Sequence, residues 1–499
     1  MNFMNFLADV PISLLGDTFD ISLNWIGKLV KILISSGVGV GVGVILFSLI
    51  LKVIVLPFDV FQRIAMRKQN IKMQENKDKM EKLQKQYAND KKMYNQKLME
   101  MQKQSGLTLL SSCLPMILSM VIFFVAIGAF NAYAKFSSVE NYNTLVNAYK
   151  DSVNEYVVDM DDENSAFSLQ TENDKTFIIV KASEEEKDKV IYLKLAVADD
   201  KATTLTTAYA QAETAEAKTQ VLKDEAKKYD NLHTRTVIDV EKAKNSDTIK
   251  GSIDWTSQET IETTLLNFFH GKGAEASKTA YDEVVSSKTK FLWIKNVWAT
   301  DASYKHPVLS HSDFLKEVAA ASCGSSCNSN GKFIVDGEEI SVNENGVLVK
   351  NDVAVTNVYE ENIYNKVTAN LGEQKDQANG YFVLIVLSIG TILLQQVITM
   401  RSQKEQQKYS SVDGQAAHTQ KMTMIIMTVM FGVFSFMYSS AFSIYMIMSN
   451  VFSLASTLVI NKLVDISEHK KEQKALQEKY NKRLPRTHQN DNKTDKKRK

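Results

Sequence analysis

The sequence predicts an α-helical polytopic membrane protein: a five-helix core, a cytoplasmic helical hairpin, and one inserted mixed α/β extracytoplasmic domain. Three observations predict it. Apolar residues gather into stretches of roughly 20 or more, the length a helix needs to cross a hydrocarbon core of about 30 Å. Charge is sorted by position, because the 499-residue chain carries a net +1 while residues 136–380 hold roughly 26 basic against 41 acidic groups, leaving the remainder strongly basic. Lys and Arg are retained on the cytoplasmic side of a membrane, whereas long acidic segments can be translocated. Finally, Met422 to Val464 is near twice the ~20 residues of one crossing, so it reads as two helices.

Residues 1–36 read as an outer-side interfacial amphipathic segment. Leu23, Ile26, Leu29, Val30, Leu33 and Ile34 recur at steps of three and four, with Lys28 and Lys31 off the stripe. The segment lacks the basic start and small-residue cleavage site of a secretory signal. Residues 37–58 form the first span, closed by Pro57 and Asp59. Its Gly-Val alternation suggests a strand, but an isolated strand in lipid leaves its backbone unpaired, so helix is the better reading. Residues 59–106 are rich in Lys, Gln, Glu and Met, with a break near Ala88-Asn89-Asp90, and read as a cytoplasmic helical hairpin or a solvated connector.

Residues 107–134 form the second span and deliver the chain to the outer side, where the acidic domain, 135–380, follows. Within it 176–181, 190–197 and 332–349 read as strands and 208–229 as helix. The third span is 381–400, followed by a basic cytoplasmic loop, 401–421. The fourth is 422–438 and the fifth 441–464, with an outer turn at Tyr438-Ser439-Ser440. Residues 465–499 form a basic cytoplasmic tail ending Lys496-Lys497-Arg498-Lys499, whose composition suggests disorder until an acidic partner is met.

Chemistry-bearing motifs are sparse. The sequence contains no nucleotide loop, catalytic triad or dinucleotide fingerprint in a suitable context, so neither an enzyme nor a cofactor is expected. His418 has no sequence-adjacent metal partner, and no metal site is expected. Cys323 and Cys327, in Cys-Gly-Ser-Ser-Cys, are either an outer-side disulfide or two reduced thiols, depending on the local turn. Lys52 is an ionisable residue within a span. Either it faces a polar cavity, or it snorkels toward the interface past Pro57, about 7.5 Å along the helix. The tail could contact anionic lipid or ribosomal RNA, or act only as a topology determinant.

Several segments together resemble the YidC-type membrane protein insertases. Leu49 to Pro57, with Lys52 ahead of an apolar run and a proline, resembles that family's first core helix. Ser112-Cys113-Leu114-Pro115 with Met116 to Phe124 resembles the start of its second helix, and Phe291-Leu292-Trp293-Ile294 an outer segment. Gly390 to Gln396 resembles the third helix and Met424 to Gly432 the fourth. Tyr445 and Asn450-Val451-Phe452-Ser453 resemble the fifth. Thus Pro57, Cys113, Leu114, Pro115, Tyr445 and Asn450 stand at family-motif positions. Four positions depart: Lys52 replaces the usual arginine, Ser119 a glutamine, Val121 a proline and Met446 a tryptophan. Lysine keeps the charge but loses the planar fork that grips a carboxylate with two bonds.

The resemblance implies a groove among the helices in the bacterial plasma membrane. In it Lys52 would attract acidic residues of the substrate, with Ser119, Gln395 and Gln396 as hydrogen-bonding candidates. It also implies the partners: nascent membrane proteins, a ribosome held by the basic tail, anionic lipids and, as further candidates, the Sec translocon and the signal-recognition-particle receptor. The alternatives are a small-solute transporter or channel, for which no internal repeat is evident, and a membrane-anchored surface adhesin or sensor whose function lies in the acidic domain.

Overall fold

A computed structural model describes residues 16–18, 23, 25–35, 37, 39–75, 77–104, 110–229, 234–256, 260–322, 333–335, 338–342, 348–351, 353–402 and 415–483. The chain divides into two compact units, one of Met1–Val40 and Ala129–Tyr381, the other of Gly41–Gly128 and Phe382–Lys499. The described residues are mostly helical. They include four helices long and apolar enough to cross a membrane: Val40–Phe61, Met120–Asn154, Val383–Arg401 and Ser440–Ile460. A further apolar helix, Lys421–Met437, is shorter.

The first helices are α1 (Trp25–Ser35), α2 (Val40–Glu75), α3 (Lys77–Gln86), α4 (Lys91–Gln104) and α5 (Leu110–Asn154). Of the stripe read in α1, Val30 and Ile34 are buried, while Trp25 and Ile32 are exposed. Lys31 is held by Glu140 at 3.2 Å and lies 4.4 Å from the Phe136 ring centre. Pro57 was expected to close the first span, but it lies inside α2. Proline removes one backbone donor, and helices in lipid tolerate this when local adjustment or a neighbour satisfies the freed carbonyl. Helices α3 and α4 pack as a hairpin around Met80, Tyr94 and Leu98, and Asp90 Oδ1 accepts from Met93 N at the start of α4.

The expected end of the second span, at residue 134, is likewise passed, since α5 continues for a further 20 residues. Hydropathy falls there, yet Val139, Tyr142, Val146, Tyr149 and Val153 recur at helical spacing and are all buried in one core with Tyr281, Phe314, Tyr359 and Tyr364. Tyr142 donates to the Val358 carbonyl at 2.7 Å, and Tyr359 to Asn143 Oδ1 at 2.9 Å. Burial of this stripe against the rest of the core gives the helix a packing reason to continue.

Strands β1 (Ala166–Glu172), β2 (Lys175–Lys181) and β3 (Ile191–Ala196) follow. Next come α6 (Asp199–Gln211), α7 (Ala215–Ala226), β4 (Thr234–Ile238), α8 (Val240–Asn245) and α9 (Ile261–Ala280). The four strands form an antiparallel sheet in sequence order. Ile178, Val180, Leu193 and Leu195 pack with Leu205, Leu222, Leu265 and Phe269 from the helices. The single helix read at 208–229 is two, because Thr214 caps α7 by accepting from Ala217 N at 3.1 Å.

A π turn at Tyr281–Val285 leads into α10 (Ser286–Thr289), then α11 (His311–Ser322). A second antiparallel sheet is built from β5 (Phe333–Val335), β6 (Glu338–Val342), β7 (Leu348–Lys350) and β8 (Val353–Thr356). After α12 (Glu361–Val367) and α13 (Gly372–Asp376), the chain is pinned before it leaves this unit. Asn379 Nδ2 donates to the carbonyls of Asn296 and Thr300, both at 2.9 Å, while its Oδ1 accepts from Asn296 N at 2.7 Å. Buried Asp301 accepts from Tyr381 N at 2.7 Å. Gly380 passes so close to Asp301 that any Cβ would collide with its carboxylate.

The last helices are α14 (Val383–Ser402), α15 (Gln415–Met437) and α16 (Ser440–Arg483), with the chain turning at Tyr438 and Ser439. They pack with α2 and the start of α5, whose Phe123 ring lies 5.0 Å from Phe431 and 5.7 Å from Phe442. Disorder was expected from residue 465, but α16 runs unbroken to Arg483. Lys474, Glu478 and Lys482 stand four residues apart, a spacing at which opposite charges support a helix.

Candidate functional site

Polar residues among apolar helices mark the site. On α2 the side chains of Val53, Ile54, Phe58 and Phe61 are exposed, whereas Val44, Phe47, Ser48, Val55 and Asp59 are buried. Lys52 lies four residues after Ser48 and seven before Asp59, so all three share the inward face. Its Nζ donates to Ser453 Oγ of α16 at 3.4 Å, so the half-buried ammonium reaches a hydroxyl on a neighbouring helix. In a low dielectric its field is felt more strongly than in water.

Helix α14 carries a row of polar groups at helical spacing. Ser388 Oγ meets Ser435 Oγ of α15 at 3.1 Å, both side chains being fully buried. Thr391 Oγ1 accepts from Asn450 Nδ2 of α16 at 3.3 Å. Five residues further, Gln396 Nε2 donates to the Met424 carbonyl at 3.2 Å and its Oε1 accepts from Thr428 Oγ1 at 2.8 Å. Gln395 is half-buried, and its carbonyl accepts from Thr399 Oγ1 at 2.9 Å. The bonds of Ser388, Thr391 and Gln396 tie α14 to α15 and α16, as polar side chains do between helices in lipid.

The structure therefore brings Lys52 to Ser453 of α16 and Asn450 of α16 to Thr391 of α14, and commits the amide of Gln396 to α15. Tyr445 is buried beside Phe442, with ring centres 6.3 Å apart. Pro57 faces outward. Cys113, Leu114, Pro115 and Ser119 lie on α5, but their side chains fall outside the described residues, as do Cys323 and Cys327 entirely. Phe291 and Ile294 close a tight backbone pair around exposed Leu292, which sits at φ 54°. Among the described residues no three His, Cys, Asp or Glu side chains could hold a metal ion.

Sequence reasoning missed Asp59, Ser388, Thr391, Thr428, Ser435 and Ser453. Their signal was spacing: Ser388, Thr391 and Gln395 repeat at three and four, and Thr428 stands seven residues before Ser435, so each set falls on one helix face.

The helices and their internal polar seam define a helical membrane protein. The chain belongs to the 60Kd inner membrane protein family, whose model matches residues 33–182 and 348–468, just over half of the chain. Three similar proteins are each named membrane protein insertase YidC. That of Fusobacterium nucleatum is 32% identical over 88 residues, 18% of this chain and 41% of the relative. That of Clostridium perfringens is 30% identical over 105 residues, 21% and 42%. That of Caldanaerobacter subterraneus is 31% identical over 98 residues, 20% and 46%. The chain thus spans under half the length of each of these relatives. The Phe291–Ile294 motif lies between the two matched segments. No solved structure matches the chain.

Proposed function

We propose that this protein is an insertase that guides nascent membrane proteins from the cytoplasm into the bilayer. The observation that carries the proposal is the family match over the helical core, joined to relatives named for that activity. The inward placement of Lys52 supports a polar groove as the route. Moving a hydrophilic segment through lipid costs several kcal/mol per unsatisfied polar group, and a polar lining lowers that cost. The substrate's own apolar helix then supplies the driving force by leaving water for lipid, so no covalent step is needed.

In this reading Lys52 attracts acidic residues of the translocating segment, and Ser119 and Gln395 offer hydrogen bonds. Gln396 serves mainly to hold α14 to α15. The hairpin of α3 and α4 receives substrate on the cytoplasmic side. The basic tail holds a ribosome nearby and raises its effective concentration, and anionic lipid, a Sec-type translocon and the signal-recognition-particle receptor are further partners. The C-terminus lies in the cytoplasm and residues 135–380 outside, following the sorting of charge. The test reconstitutes the purified protein in liposomes and presents a single-span nascent protein. Insertion above that of protein-free liposomes is expected, and insertion equal to it overturns the proposal.

A further inference from the structure

We propose that Asp59 is a second charged contact for the substrate, reading the cationic flank that stays in the cytoplasm. This inference rests on the insertase reading and adds a residue that determines which substrates are favoured and in which orientation.

The geometry of α2 carries it. Asp59 is only 8% exposed although Phe58 and Phe61 beside it are 51% and 62% exposed, so the helix turns this carboxylate away from the apolar outer face. Lys52 and Asp59 are seven residues apart, which places them on one face two turns and about 10.5 Å apart. Ionisable residues inside membrane helices are costly and mark functional paths. Two of opposite sign on the same inward face make a fixed dipole along the route.

The order of the two charges matters. From Lys52 to Asp59, α2 runs toward the basic Lys-rich segment that follows it. A substrate helix carries its Lys and Arg excess at the cytoplasmic end, while the portion that crosses tolerates acidic residues. Such a chain aligned beside α2 meets Lys52 with its acidic residues and Asp59 with its basic flank. The opposite orientation sets like charges against each other at both points, a penalty that acts as discrimination.

The test uses the full-length protein in phosphatidylcholine liposomes, so that lipid headgroups carry no net charge. Two single-span reporters differ only in three Lys or three Gln residues on the cytoplasmic flank. The unaltered protein is expected to insert the Lys reporter about fivefold faster, the effect of a charge pair near the upper end of the exposed range. Asp59→Asn brings the ratio to about one, and Asp59→Glu restores it. A ratio unchanged in Asp59→Asn, or an equal loss on both reporters such as a merely structural carboxylate would give, overturns the inference alone. Failure of the unaltered protein to insert either reporter above protein-free liposomes overturns the insertase reading as well.

Discussion

Lys52 presents a compact charge on a flexible stem, and its Nζ donates to Ser453 Oγ at 3.4 Å, a contact without the planar fork of an arginine. Replacement should therefore be judged by sign rather than shape. In cells depleted of the native protein, Lys52→Arg is expected to support growth and client insertion, Lys52→Gln to reduce both, and Lys52→Glu to reduce them most. Full activity of the Glu variant would remove charge attraction from the mechanism. Gln396 poses the complementary question, because both ends of its amide are engaged by α15. A double-mutant cycle of Gln396→Leu and Thr428→Val is expected to give a coupling of roughly 0.6 kcal/mol in detergent unfolding, typical of such bonds in membranes. Reduced insertion by Gln396→Leu with unaltered stability would instead make it a substrate contact.

His270 offers a pH test outside the spans. Its Nδ1 shares a hydrogen bond of 2.5 Å with the Tyr149 hydroxyl, and burial, aided by the nearby Lys366 charge, pushes the imidazole from 6.5 down to about 4. Between those values an unfolded chain binds a proton that the folded one refuses. Stability from this group is therefore full above about pH 6.5 and declines as pH falls toward 4, by roughly 3 kcal/mol at most. Thermal unfolding of the full-length protein at pH 7 and pH 4.5 should show a smaller acid-induced drop in His270→Gln than in the unaltered chain.

At the scale of elements, two long helices run on past the ends read from their apolar runs, and this is where sequence and structure part. The turn at Tyr438 and Ser439 was legible, because 43 mostly apolar residues exceed one crossing and small polar residues interrupt them. The strand at 176–181 was legible from its run of β-branched and aromatic side chains. The ends of α2 and α5 were not. Hydropathy reports where the apolar run thins, whereas Tyr142, Tyr149 and their neighbours keep α5 helical by packing against residues more than a hundred positions away. The close approach of α5 and α9 is checkable at Gly273, where an added Cβ would lie 2.6 Å from the Tyr149 ring. Gly273→Ala is expected to lower stability by about 1 to 3 kcal/mol, read as a reduced melting temperature; an unchanged value would mean the ring yields freely.

For the whole molecule, the two stretches of family match enclose residues 183–347, and excision tests whether that enclosed part has a function of its own. The buried stripe on α5 dictates where to cut. Removing 183–347 alone strips Tyr281 and Phe314 from Val139, Tyr142, Val146 and Tyr149, leaving that face without its packing partners, and should lower membrane-localised yield sharply. Replacing 137–380 with a short polar linker removes the stripe together with its partners and is expected to preserve insertion of a single-span reporter. Complete loss of insertion by that variant, at normal yield, would place an essential role in the excised domain. The polar seam was only partly legible from sequence: Lys52 and the paired glutamines stand out by type, but Ser388 and Ser435 are ordinary serines until two helices bring them 3.1 Å apart.

The unbroken course of α16 has a mechanical consequence. Forty-four helical residues measure about 66 Å, while the hydrocarbon core takes only about 30 Å of that length. From Asn461 to Arg483 the helix is a stiff spar roughly 35 Å long. A flexible tether would let whatever it holds wander through a cloud of positions; a spar sets one stand-off height. A ribosome gripped at its far end would be stationed at that height, so lengthening or shortening the spar by whole turns should retune how much nascent chain must emerge before it meets the helices below.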